Sequence, residues 1–276
     1  MSDQPAPTSL TQAAMARLQA AGAGAGGSAP RLFTSDLSVD EFLLIRDAGF
    51  DPIGLVMGSS VYHVGIQYGG WKQSMELAVL TAAMYNARQL AMYRMQAEAD
   101  AMSADGIVGV QLEIRQNAGY GDLLDFVAVG TAVRARENPT AWRTPAGRAF
   151  TSDLSGQDFW KLWQAGYVPV SFVLGTCVYH IAHQSLRQMM KQMGQNVEMP
   201  NFTQATYDAR EIAMARMQAE AERDQAMGVV GVVVRENSHV WGEHGIEFLA
   251  TGTSVRMVQE REHAITSPMV LSLDSR

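Results

Sequence analysis

Cysteine is nearly missing: Cys177 stands alone among 276 residues, so no disulfide can form within the chain. Runs of Lys or Arg are missing too, and the formal charge is −7. Nucleic acid and anionic membranes are held by concentrated positive charge, so this balance speaks against both as main partners. No apolar run approaches the ~18–20 residues of a membrane span. The N-terminal stretch lacks the basic segment and apolar core of a secretory leader. With a single cysteine, these absences lead to the expectation of a cytoplasmic protein.

Apolar residues are plentiful at 47%, against 18% charged, so each half of the chain can bury a core of its own. Seventeen Met, most at helical spacings, read as adaptable core and interface filler. The chain also repeats itself. "TSDLS" occurs at Thr34–Ser38 and Thr151–Ser155, each time after Phe (Phe33, Phe150), and "VYH" follows at Val61–His63 and Val178–His180. At this offset of 117, Phe42 meets Phe159, Ala48-Gly49 meets Ala165-Gly166, Pro52 meets Pro169 and Gly58 meets Gly175. The offset then becomes 122: Tyr85 meets Tyr207, Arg88 meets Arg210, "RMQAEA" appears at Arg94–Ala99 and Arg216–Ala221, and Gly130-Thr131 meets Gly252-Thr253. This is a tandem duplication with five extra residues in the second copy.

The repeat divides the chain into a flexible N-terminal tail (1–31), a first unit (32–137), a linker with two Pro and a Gly (138–148), a second unit (149–258) and a C-terminal tail (259–276). The tail is too poor in large apolar residues to order by itself, although Leu10–Ala20 is suited to form a short helix on a protein partner. Within each unit, Ser38 with Glu41 makes a capping box and Leu37 with Phe42 a staple; Ser155, Asp158, Leu154 and Phe159 do the same less fully. Gly49 and Gly166 end these short helices. The β-branched stretches after Pro52 and Pro169 predict long strands, bulged at Gly58 and Gly175. Apolar periodicity predicts long helices near Met75–Ser103 and Phe202–Ala226, with Arg94–Glu98 and Arg216–Glu220 on a solvated face or reaching a neighbouring subunit. A Gly-bearing hairpin closes each unit. The expected fold class is α+β: two tandem copies of an antiparallel sheet of about three strands, packed on one long helix and preceded by a short capped helix. Three strands and one helix leave a second sheet face and the edges bare, which assembly would cover.

A long helix carrying "Y-x-A-R" into "ADGIVGV" (Ala104–Val110), then a strand ending "GTAV" (Gly130–Val133), resembles the YbjQ-like family, a small bacterial family labelled heavy-metal-binding. The resemblance covers Phe33–Arg136 and again Phe150–Met257. It implies α+β units forming homo-oligomeric rings, typically of five, so that five chains would supply ten units.

The metal candidates are Cys177, His180 and His183, a C-x-x-H-x-x-H run whose donors suit zinc or copper. Strand alternation divides them: Cys177 and His183 point one way and His180 the other. The first copy has Ser60, His63 and Ile66 there, so only His63 and His180 repeat, as core or interface histidines or as the lining of pockets between subunits. His239 and His244 fall in a polar hairpin loop beside Glu243. A Cys177 nucleophile with His180 as base meets the same alternation, and "GAGAGG" lacks the Lys-Ser/Thr ending of a phosphate loop. The expectation is a non-enzymatic assembly or binding protein. A binder of zinc, copper or a small ligand at His63 and His180 is the second reading, and a cysteine enzyme the third.

Overall fold

The computed structural model describes residues 12–22, 33–63, 74–116, 123–138, 142–181, 198–238 and 245–259. His183, His239, Glu243, His244 and most of both tails lie outside them. The first half contains α1 (Gln12–Gly22), α2 (Val39–Asp47), β1 (Phe50–His63), β2 (Met75–Glu76), α3 (Ala78–Ala101), β3 (Gly106–Gln116) and β4 (Leu123–Ala135). The second contains β5 (Phe150–Thr151), α4 (Gly156–Gln164), β6 (Tyr167–His180), α5 (Pro200–Arg223), β7 (Gly228–Ser238) and β8 (Gly245–Met257).

Local chemistry starts and stops the short helices as their sequence demands. Ser38 Oγ accepts the Glu41 N–H, and the Glu41 carboxylate accepts the Ser38 N–H at 2.9 Å. That backbone donor holds the Glu41 carboxyl below its usual range. In α4 the Asp158 carboxylate accepts a hydrogen bond from the Ser155 hydroxyl, while the Gly156 N–H at the helix start donates to Glu41 of the first half at 3.1 Å. Gly49 and Gly166 follow the two helices at φ +91° and +82°, a region in which a side chain is strained.

The expected bulges at Gly58 and Gly175 are not where the strands break register. The shifts fall at Pro52/Gly54 and Pro169/Ser171, and Gly58 and Gly175 pair regularly with Ala128 and Ala250. These glycines answer a different need. A Cβ at Gly58 would lie 2.0 Å from the Ala91 carbonyl, and one at Gly175 2.0 Å from that of Ala213. The long helices cross the strands with backbone against backbone, and only Gly leaves room.

The two halves exchange strands. The first sheet runs β1-β4-β3-β5, so it ends on a strand of the second half, parallel to β3. The second runs β2-β6-β8-β7, so it begins on a strand of the first half. α5 packs on one face of the second sheet, with Ala209, Ala213 and Met217 against Val173 and Cys177. The other face of that sheet (Phe172, Leu174, Val178, Leu249) shares one core with α3, which also packs on its own sheet through Val56, Phe126 and Ala128. α3 is therefore filling between two sheets, and ten of its residues are buried against six of α5. The layers run α5, second sheet, α3, first sheet.

Candidate functional site

The densest polar chemistry lies along the seam between the halves. At the edge of β6, the Leu77 N–H donates to the Val178 carbonyl at 2.8 Å and the Val178 N–H to Thr81 Oγ1 at 3.0 Å. A turn further along α3, the Tyr85 hydroxyl and the Gln89 amide both donate to one Glu220 carboxylate oxygen, the amide at 2.8 Å. The other oxygen accepts the Leu174 N–H at 2.7 Å. Burial raises the Glu220 carboxyl above its usual range. Burial together with the neighbouring carboxylate pushes Tyr85 up to about 12.

Arg88 reaches into the second half with its side chain fully buried. Its Nη2 lies 2.6 Å from Glu247, which is also fully buried, and its Nη1 donates to Thr176 Oγ1 at 3.2 Å. The Thr176 hydroxyl donates in turn to Glu247 at 2.8 Å, and the guanidinium covers the Phe126 ring. Arg216 forks onto Glu76 of β2 at 2.6 and 3.1 Å, and the same contact raises its pKa. The expectation of a solvated face for the Arg–Glu pairs of the long helices is thus corrected. Glu98 accepts the Met57 N–H and Glu220 that of Leu174, while Arg94 and Arg216 donate to strand carbonyls. Arg216 and Glu220 also reach across to the first half of the same chain, to Glu76 and Tyr85.

Aromatic packing locks the far end of the seam. Phe50 meets Trp142, Phe150 and Phe159 edge-on, with centroids 4.4, 5.8 and 5.5 Å apart. Trp142 lies in the 138–148 stretch, so that linker joins the core. Gly106 lies flat under the Phe150 ring, 2.1 Å from where a Cβ would stand. Between the halves opens a cleft of about 280 Å³ lined by Gln96, Arg148, Ser171, Arg223 and Asp224 among others. Of the charges along the seam, Arg88 and Glu247 are matched and buried across the boundary between the halves.

The residues singled out from the sequence sit around this seam rather than together. Cys177 is buried against α5, where burial pushes its thiol up to about 12. His180 ends β6 on the opposite face, beside Met75 of β2. His63 ends β1, exposed, on the outer face of the first sheet. The two repeated histidines thus occupy equivalent places in separate sheets. Sequence reasoning missed the roles of Arg88 and Glu247 and misplaced Glu220. A usable signal was an acid, Asp125 or Glu247, at the same position near the start of each hairpin strand, flanked by apolar residues.

Residues 69–136 and 164–258 match the YbjQ family, described as "Putative heavy-metal-binding". The chain is 56% identical over 247 residues to the encapsulin nanocompartment protein Rv1762c of Mycobacterium tuberculosis, a match spanning 90% of this chain and 94% of that protein. It is 42% identical over 65 residues to the UPF0145 protein TTHA1944 of Thermus thermophilus, covering 24% of this chain and 55% of that protein. The family description implies a heavy metal, but the described donors do not assemble for one. Cys177 and His180 face opposite sides of β6, and no group of three or more His, Cys, Asp or Glu among the described residues is placed to hold a metal ion. One matched region falls within each duplicated half, so the chain belongs to the YbjQ family and carries the matched unit twice.

Proposed function

We propose that this chain is a non-enzymatic, cytoplasmic protein that self-associates and works with an encapsulin nanocompartment. One observation carries the self-association: the stack of layers is unfinished at both ends. α3 covers the outer face of the second sheet, but among the described residues nothing equivalent covers Met57 and Val61 on the first, and α5 leaves Tyr207 uncovered. The nanocompartment rests on the name of the Mycobacterium tuberculosis relative, whose likeness spans both halves. The non-enzymatic reading is supported by Cys177, whose raised pKa leaves little thiolate at neutral pH. A lone unbridged cysteine supports the cytoplasmic placement, to be checked by cell fractionation. Light scattering on the purified chain is expected to give several times 30.0 kDa, and co-purification with co-expressed encapsulin shell is expected. A chain that stays single at micromolar concentration removes the self-association, and one that never travels with shell removes the nanocompartment.

The family description favours a second reading, a binder of zinc or copper at His63 and His180 in assembled pockets. It predicts stoichiometric metal in untagged protein, lost in the His63→Ala/His180→Ala variant. Elemental analysis finding no metal after reconstitution removes it.

A further inference from the structure

The seam inside the chain is a template for a contact between chains. Each half carries both partners of the seam, but the chain uses each only once. The unused partners can be found by carrying the seam residues across the repeat offsets of 117 and 122.

The donor side comes first. Arg88 and Thr81 of α3 bind the second sheet and Tyr85 binds Glu220 of α5; their counterparts Arg210, Thr203 and Tyr207 on α5 meet no further sheet among the described residues. Tyr207 is 51% exposed, and the Arg210 side chain, 42% exposed, turns to Glu211 on its own helix at 2.7 Å. On the acceptor side, Val178 and Leu174 are 2% and 1% exposed under α3, whereas their counterparts Val61 and Met57 are 61% and 51% exposed. The counterpart of Glu247, the acid that Arg88 binds, is Asp125. Its Oδ1 is shut away from solvent with no hydrogen-bond donor among the described residues. A buried carboxylate oxygen without a donor is costly, and an arriving guanidinium supplies what it lacks.

The strand exchange tells the same story at the opposite edge. Phe150 of β5 lies on Gly106 and is fully buried. Its counterpart Phe33 is 44% exposed, and the counterpart of Gly106, Gly228, has nothing within 4 Å of where a Cβ would stand. The Phe33 segment is already held as β5 is: Thr34 Oγ1 accepts the Leu55 N–H at 3.3 Å, as Thr151 Oγ1 accepts that of Phe172 at 2.8 Å. β7, the open edge beside Gly228, exposes Val232, Val233 and Val234.

Resting on the self-association proposed above, we infer that a second copy of this chain docks head-to-tail by repeating the seam. α5 of one chain lies on the outer face of the next chain's first sheet, Arg210 binds Asp125, and Phe33 of the next chain roofs Gly228 of the first. The contact joins unlike surfaces, so every docked chain leaves a fresh donor and acceptor. At one position the template's charge changes. Glu211 replaces Gln89 and arrives at Glu98, the counterpart of Glu220. Arg17 of α1 already stands 3.6 Å from Glu98 and supplies the positive charge that two carboxylates need.

Arg210→Asp and Phe33→Asp test this, because both side chains are exposed in the single chain and neither change disturbs its core. Sedimentation and light scattering are read on full-length wild type and variants at matched concentration. Each variant is expected to weaken association by about ten-fold or more, and the double variant to run as a single folded chain with unchanged circular dichroism and melting temperature. Wild type that assembles while both variants keep its mass overturns the head-to-tail contact and leaves self-association standing. Wild type that never assembles overturns the underlying reading instead.

Discussion

Arg88 and Glu247 set the residue scale. Both side chains are fully buried, so their attraction is offset by desolvation, and the pair matters most when one partner is removed. Arg88→Met strands a buried carboxylate and is expected to cost about 3–5 kcal/mol in chemical denaturation. Arg88→Met/Glu247→Leu is expected to recover most of that loss. Glu220 adds a pH dependence. Its carboxyl is raised by burial above 4.5, so the folded state favours its protonated form. The stability it contributes is fully present below that ordinary value and is lost as pH rises through the folded one. Glu220→Gln is therefore expected to flatten the fall in melting temperature across that window, read as the difference from wild type. Cys177 is expected to stay unlabelled by a thiol reagent in the native chain and to react on unfolding, given a pKa of about 12 and its burial.

Elements show what the sequence displays and what it conceals. The Ser38–Glu41 capping box, the Ser155 cap and the Gly49 and Gly166 stops were legible because a cap is satisfied by residues three positions apart. Gly58 was misread because Gly serves a bulge and a close backbone crossing equally well, and only the partner helix distinguishes them. Gly58→Ala or Gly175→Ala must push that helix off its strand. Each is expected to cost about 3 kcal/mol, the upper part of the overpacking range, by the same denaturation assay. β2 and β5 were invisible because two residues carry no periodicity. Alternation correctly separated Cys177 from His180, but it said nothing of the seam. For a buried ion pair such as Arg88 with Glu247, 159 positions apart, the sequence displays the acid in its strand but not the partner it meets.

At the scale of the whole molecule, α3 belongs to two cores at once. Phe172, Leu174 and Val178 of the second sheet lose their cover if α3 leaves, and a buried side chain of that kind contributes roughly 1.5–3 kcal/mol. The halves are accordingly expected to melt as one. Calorimetry should give a single transition, with calorimetric and van't Hoff enthalpies in a ratio of about one. Two resolved transitions would show that the shared helix does not couple the sheets.

The exchanged strands β2 and β5 make the covalent connection between the halves partly redundant. β5 follows the 138–148 stretch in the chain but belongs to the first sheet, while β2 precedes it and belongs to the second. A protease that severs that connection leaves each fragment clasped by the other, so the nicked molecule stays together under native conditions and comes apart only in denaturant.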